Sequence, residues 1–130
     1  MKKVKDILFI WHHVKKEFLQ IEGEAIVIPG FEDHDIFVHK TVDGNGHAQA
    51  EMFTVSEGKS GYAIGYDRSK EWVVGKVTDR LKYHGREQLD RVIAEAVEKT
   101  GLSPRWSKED ELQSIATGEA NEVQGRRSVP

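Results

Sequence analysis

Between Phe31 and Tyr66 hydrophobic and polar side chains alternate on either side of a Gly44-Asn45-Gly46 turn, and this stretch limits the available folds more than any other. Ile36, Val38 and Val42 occupy even positions before the turn; Ala48, Ala50 and Met52 occupy even positions after it. A period of two marks strands, whose successive side chains point to opposite faces. A three-residue loop sets Asp43 opposite His47, and Asn45 or Gly46 supplies the left-handed residue such a loop needs. On that register His39 faces Glu51 and Phe37 faces Phe53. A two-residue loop is the competing register, and it places Ile36 and Val38 on the face of Glu51 and Phe53 instead.

A further strand is expected at Tyr62 to Tyr66, where the small Ala63 and Gly65 mark a close approach by a helix or another backbone. A short strand from Glu24 to Ile28 precedes the meander and ends at Pro29-Gly30. In residues 2–20, Val4, Ile7, Leu8, Trp11, Val14, Phe18 and Leu19 recur at helical spacing, which predicts an amphipathic N-terminal helix with lysines outside, although Ile7 to Trp11 also suits a buried strand. Ser69 has the chemistry of a helix cap, and Trp72, Val73, Val77 and Leu81 form the inward stripe of a helix ending near Tyr83. His84-Gly85 breaks the run. Arg86 to Thr100 is the clearest helix, striped by Leu89, Val92, Ile93, Ala96 and Val97 and stopped by Gly101. A third C-terminal helix is expected after Ser107, with Leu112, Ile115 and Ala116 inward and Gly118 at its end.

These elements predict an α+β fold: an antiparallel meander of three to four strands carrying an N-terminal helix and two to three C-terminal helices. Residues 1–118 form one domain on this reading, and residues 119–130, nearly devoid of large aliphatics, form a disordered tail. A chain of 130 residues with 38% hydrophobic and 32% charged side chains suits one soluble domain. No run approaches the apolar length that spans a bilayer, and there is no cysteine, so a cytoplasmic protein without a membrane partner is expected.

The net charge of −3 conceals an uneven distribution. Residues 1–20 carry five basic and two acidic side chains, whereas residues 21–66 carry two basic and eight acidic ones. The predicted sheet is thus the acidic part, with a field that attracts cationic surfaces and repels phosphate.

Of the six histidines, His39 and His47 share the odd face of the hairpin with Glu51, an N/O donor set that suits zinc or a related divalent ion if it converges. His12 and His13 are adjacent on the predicted helix and cannot chelate one ion together. Gly58-Lys59-Ser60-Gly61 lacks the remainder of a phosphate-binding loop, and no G-x-S-x-G elbow occurs. The expected order of helix, three-strand meander and helix resembles that of double-stranded-RNA-binding domains, in topology only. Where those domains carry a lysine cluster, this chain has Arg68 and Lys70 followed by Glu71.

The resulting expectation is a non-enzymatic regulator or inhibitor that presents Glu32, Asp33 and Asp35 with the aromatics Phe31, Phe37, Tyr62 and Tyr66 to a protein partner with a basic surface. Competition with nucleic acid for that surface, as by an accessory protein of a phage or mobile element, is one setting for it. No cofactor is expected, and a homodimer is compatible with the apolar faces and sheet edges. One alternative is a divalent-metal-dependent hydrolase built on His39, His47 and Glu51; the other is a nucleic-acid-binding module using Lys2, Lys3, Lys5, Lys15 and Lys16.

Overall fold

The computed structural model describes residues 2–3 and 7–107. In chain order the elements are β1 (Lys2–Lys3), β2 (Leu8–His12), β3 (Glu17–Ile21), β4 (Gly23–Ile26), β5 (Ile36–Val42), β6 (Ala48–Glu57), β7 (Ala63–Asp67), α1 (Lys70–His84), α2 (Arg86–Thr100) and β8 (Trp106–Ser107). The chain is α+β. β4, β5, β6 and β7 form a four-stranded antiparallel sheet in sequence order, β2 and β3 form an antiparallel hairpin, and β1 pairs with β8. The expected third C-terminal helix and the tail of residues 119–130 lie outside the described residues.

The N-terminal helix is not formed. Two short strands joined by a turn bring apolar residues back every few positions, which over residues 2–20 imitates helical spacing. Within β2 the burial alternates, with Leu8, Ile10 and His12 inward. The hairpin covers the second face of the sheet, where Leu8 and Ile10 cluster with the fully buried Phe37, and Leu19, Ile21 and Val42 pack beside them. Replacing the helix by a hairpin also removes the topological likeness to double-stranded-RNA-binding domains.

The opposite face carries the larger core. Val38 and Val55 pair across β5 and β6 and pack in one cluster with Val73, Val77 and Leu81 of α1 and Leu89 of α2. The close approach expected at Gly65 is met there, because a Cβ on it would lie 3.0 Å from Val77 Cγ2. α1 begins as its sequence predicts, with the Trp72 N–H donating to Ser69 Oγ at 3.2 Å. Gly85 and Gly101 lie at positive φ at the ends of the two helices, where a left-handed residue costs glycine least.

The hairpin register combines both sequence readings. At the tip Val42 pairs with Ala48 and the Asp43 N–H donates to His47 O, as the three-residue loop requires. A bulge follows: the step from Lys40 to Val42 on β5 spans Ala48 to Phe53 on β6. The odd slip reverses the parity. His39 therefore lies opposite Thr54, not Glu51, and Phe37 opposite Ser56, not Phe53. The gain is the Val38–Val55 pair beneath α1.

β3 runs almost directly into β4, so one extended segment changes partner from β2 to β5. Gly23 sits at the change. A Cβ there would stand 2.6 Å from Val38 O, so only glycine lets the two backbones approach this closely.

Candidate functional site

Three layers result, and a cleft of about 440 Å³ opens between the β2–β3 hairpin and the sheet. Trp11, His12, His39, Thr54, Ser56 and Tyr66 are among its walls. Alternation along β6 places these polar groups: Val55 turns toward the helices, so Thr54 and Ser56 turn toward the hairpin with His39.

Of the three histidines that line the cleft, His12 and His39 are each held in one tautomer by their neighbours. His39 Nδ1 lies 2.7 Å from Lys40 O, and a carbonyl only accepts, so this nitrogen carries the proton. His39 Nε2 is then the acceptor for the Ser56 hydroxyl at 2.8 Å. Burial lowers the His39 pKa from its ordinary 6.5, against the opposing pull of the Lys40 carbonyl, and keeps the ring neutral. In His12 the roles are reversed. The Lys15 N–H donates to Nδ1 at 3.0 Å, leaving the Nε2–H to donate to Asp43 O at 2.7 Å. Thr41 and Thr54 share a hydroxyl–hydroxyl bond of 2.7 Å.

The His39–Ser56 contact has the donor order of a general base and a nucleophile. Ser56 is only 1% exposed, however, which leaves its hydroxyl no approach to a substrate carbonyl, and the pair acts to satisfy a buried ring. No family model, curated protein or solved structure matches this chain. The geometry alone therefore carries the functional argument.

That geometry divides the residues expected to bind a partner. Phe31 and Phe37 are core residues, on opposite faces of the sheet, and are inaccessible. Asp35 is drawn into a buried contact with Arg105, whose Nε and Nη2 lie 2.6 and 2.9 Å from its two oxygens, and Trp106 Nε1 donates to the same carboxylate at 2.9 Å. Asp33 is exposed but paired with Arg86 at 2.7 Å, which holds its carboxyl far below the usual range. Glu32 accepts from the Gly30 N–H at 3.1 Å. Tyr62 and Tyr66 are exposed as expected, although only Tyr66 reaches this cleft; Tyr62 lines a shallow groove against α1 and α2.

The acidic stretch is thus partly neutralised by cations arriving from elsewhere in the chain: Arg86, Arg105 and Lys70, the last 3.1 Å from Glu24. Sequence segregation of charge is not spatial segregation. Among the described residues, Glu22, Glu32 and Glu51 form no ion pair.

The other expected sites are also redistributed. His39 has both nitrogens engaged and lies opposite Thr54, and among the described residues no three His, Asp, Glu or Cys side chains gather where an ion could be held. Lys15 and Lys16 stand at the exposed hairpin turn, Lys2 and Lys3 lie in β1, and Lys5 is outside the described residues, so the five lysines do not share a helix face. The outward carbonyls of β7 are occupied: Arg80 Nη1 donates to Ile64 O at 2.7 Å and Lys76 Nζ to Tyr66 O at 2.9 Å, which blunts that edge toward strand addition.

Sequence reasoning missed His12, Trp11 and Val14 because it placed them on a helix. It also passed over Thr54 and Ser56, although their alternation with Phe53 and Val55 marks a strand face that is polar yet covered.

Proposed function

We propose that this chain is a small non-enzymatic binding protein, a regulator or inhibitor that engages a basic protein surface through the cleft beside the β2–β3 hairpin. The observation that carries the reading is the contrast between the rim and the interior of that cleft. Inside, His12, His39, Ser56, Thr41 and Thr54 satisfy one another or the backbone, leaving no pair set up to act on a bound molecule. On its lining, Tyr66 is 63% exposed and Val14 is 70% exposed. Exposed aromatic and apolar groups around a concavity are the composition of an interface centre. The unpaired Glu22, Glu32 and Glu51 supply the negative field that favours a basic partner and speeds its encounter. If that basic surface normally holds nucleic acid, binding competes with it.

The test is affinity capture from host lysate at low and high salt, comparing the native chain with Tyr66→Ala combined with Val14→Asp, and separately with Glu51→Lys. A stoichiometric basic protein captured by the native chain, lost with the cleft variant and made salt-insensitive or weaker by Glu51→Lys, supports the reading. Equal capture by the native chain and a cleft variant of unchanged melting temperature overturns it, as does the absence of any stoichiometric protein.

A further inference from the structure

The hairpin that roofs the cleft is fastened to the four-stranded sheet at few polar points. The Trp11 N–H donates to Gly61 O at 3.1 Å, and the His12 Nε2–H donates to Asp43 O at 2.7 Å. His12 also shapes the hairpin's own turn, since its bare Nδ1 accepts the Lys15 N–H at 3.0 Å while the Lys16 N–H donates to His12 O at 2.7 Å. Lys16 adopts φ 55, a conformation in which a residue with a Cβ is strained, so the turn depends on such contacts.

We infer that His12 is an acid-sensitive pin: uptake of one proton at Nδ1 removes the acceptor of the Lys15 N–H, the turn of residues 13–16 loses its shape, and the hairpin loosens over the cleft. The imidazolium has a donor on each nitrogen and no lone pair to offer, so two N–H groups would point at each other across the present 3.0 Å contact. No such clash of donors arises at His39, where the Ser56 hydroxyl can turn and accept from a protonated Nε2, and the resistance to that proton comes from burial of the ring.

The ionisable groups on the elements around the His12 ring are Glu17, its cross-strand partner on β3, His39 on β5, Asp43 at the end of β5, Tyr66 on β7, and His13, Lys15 and Lys16 in the turn. Asp43 matters most. The backbone N–H of His47 holds its carboxyl below the ordinary range, with the Asn45 N–H adding to the effect, so it stays ionised in mild acid. Acid thus opens the hairpin while the rest of the sheet keeps its pairing. That this opening dismisses a partner rests on the binding reading above; the opening itself does not.

The experiment is amide hydrogen exchange on the full chain without any partner, at about pH 7.5 and about pH 5.5, corrected for intrinsic rates. At the lower pH, protection of the Lys15 and Trp11 amides is expected to fall by up to about tenfold beyond any loss at Val77 in α1, whose exchange follows the stability of the whole fold. In His12→Gln, whose amide can still reach Asp43 O but takes up no proton, the excess loss at Lys15 and Trp11 over Val77 is expected to vanish. If that variant fails to fold, His12→Asn, which can keep an acceptor near the Lys15 N–H, serves the same purpose. Unchanged Lys15 and Trp11 protection in the native chain overturns the inference. So does an equal loss in the substituted chain, which would assign the effect to another group.

Discussion

The Asp35 carboxylate and the Arg105 guanidinium meet through two contacts of 2.6 and 2.9 Å, with their side chains only 9% and 3% exposed. This pair anchors the segment that follows α2. Arg105 Nη1 also donates to Ile7 O at 3.2 Å, the Ser103 N–H donates to Lys59 O at 2.8 Å, and Lys59 lies 4.9 Å above the Trp106 ring. β8 is thereby held where it can pair with β1.

Removing one member of a buried pair strands the other charge without solvent. Arg105→Ala is therefore expected to lower the unfolding free energy by about 3–5 kcal/mol, measured by urea denaturation. Arg105→Met with Asp35→Leu, which removes both charges, is expected to cost much less. Equal losses in the single and double variants would show that the fold depends on the segment's packing and not on the charge pair.

His39 gives stability a defined pH dependence. Burial depresses its folded pKa below 6.5, so above that value the ring is neutral in both folded and unfolded chains and the contribution is complete. As pH falls through 6.5 the unfolded chain takes up a proton that the folded one resists, and stability declines by up to about 1.4 kcal/mol per pH unit from this group until the folded value is reached. The His39 ring resonance in an NMR titration is expected to show a midpoint below 6.5. A midpoint at or above that value contradicts the buried neutral ring.

Glu57 acts with the opposite sign. Burial raises its pKa above 4.5, while contacts from the Ser60 hydroxyl and the Lys59 and Ser60 N–H groups pull it down. Its contribution is complete below 4.5 and declines as pH rises through the elevated folded value. A carbon-detected carboxyl titration is expected to place Glu57 above 4.5, and a midpoint below it would mean that the hydrogen bonds outweigh desolvation.

Gly23→Ala is expected to destabilise the chain by about 1–3 kcal/mol through overpacking, because its methyl would press on Val38 O where β3 becomes β4. The loss should appear in thermal unfolding, with reduced exchange protection on both sides of residue 23. A neutral substitution would show that the strand corner can relax.

Ser69→Ala removes the hydroxyl that accepts the Trp72 N–H at the start of α1. A loss of about 0.5–2 kcal/mol is expected, and Ser69→Asp should recover most of it. Failure of aspartate to recover stability would indicate that capping is not what serine provides.

Several elements were legible in the sequence because their causes are local. Ser69, the Val73, Val77 and Leu81 stripe, Gly85 and Gly101 specify two helices through capping, periodicity and termination, each within a few turns of chain, although Trp72, read as part of the inward stripe, is exposed. Gly44-Asn45-Gly46 likewise set the loop register at Val42 and Ala48 without reference to anything distant. Tertiary structure decided the remainder. Residues 8–21 became a hairpin because the Phe37 face of the sheet needed an apolar cover, a demand that does not show in their own spacing. The bulge moved His39 from Glu51 to Thr54 so that Val38 and Val55 could meet beneath α1. Asp35, read as an exposed acid, met Arg105 across 70 positions of sequence. Turns and caps are energies of neighbouring residues, whereas burial and charge pairing depend on which distant surfaces come together, and only the folded chain determines that.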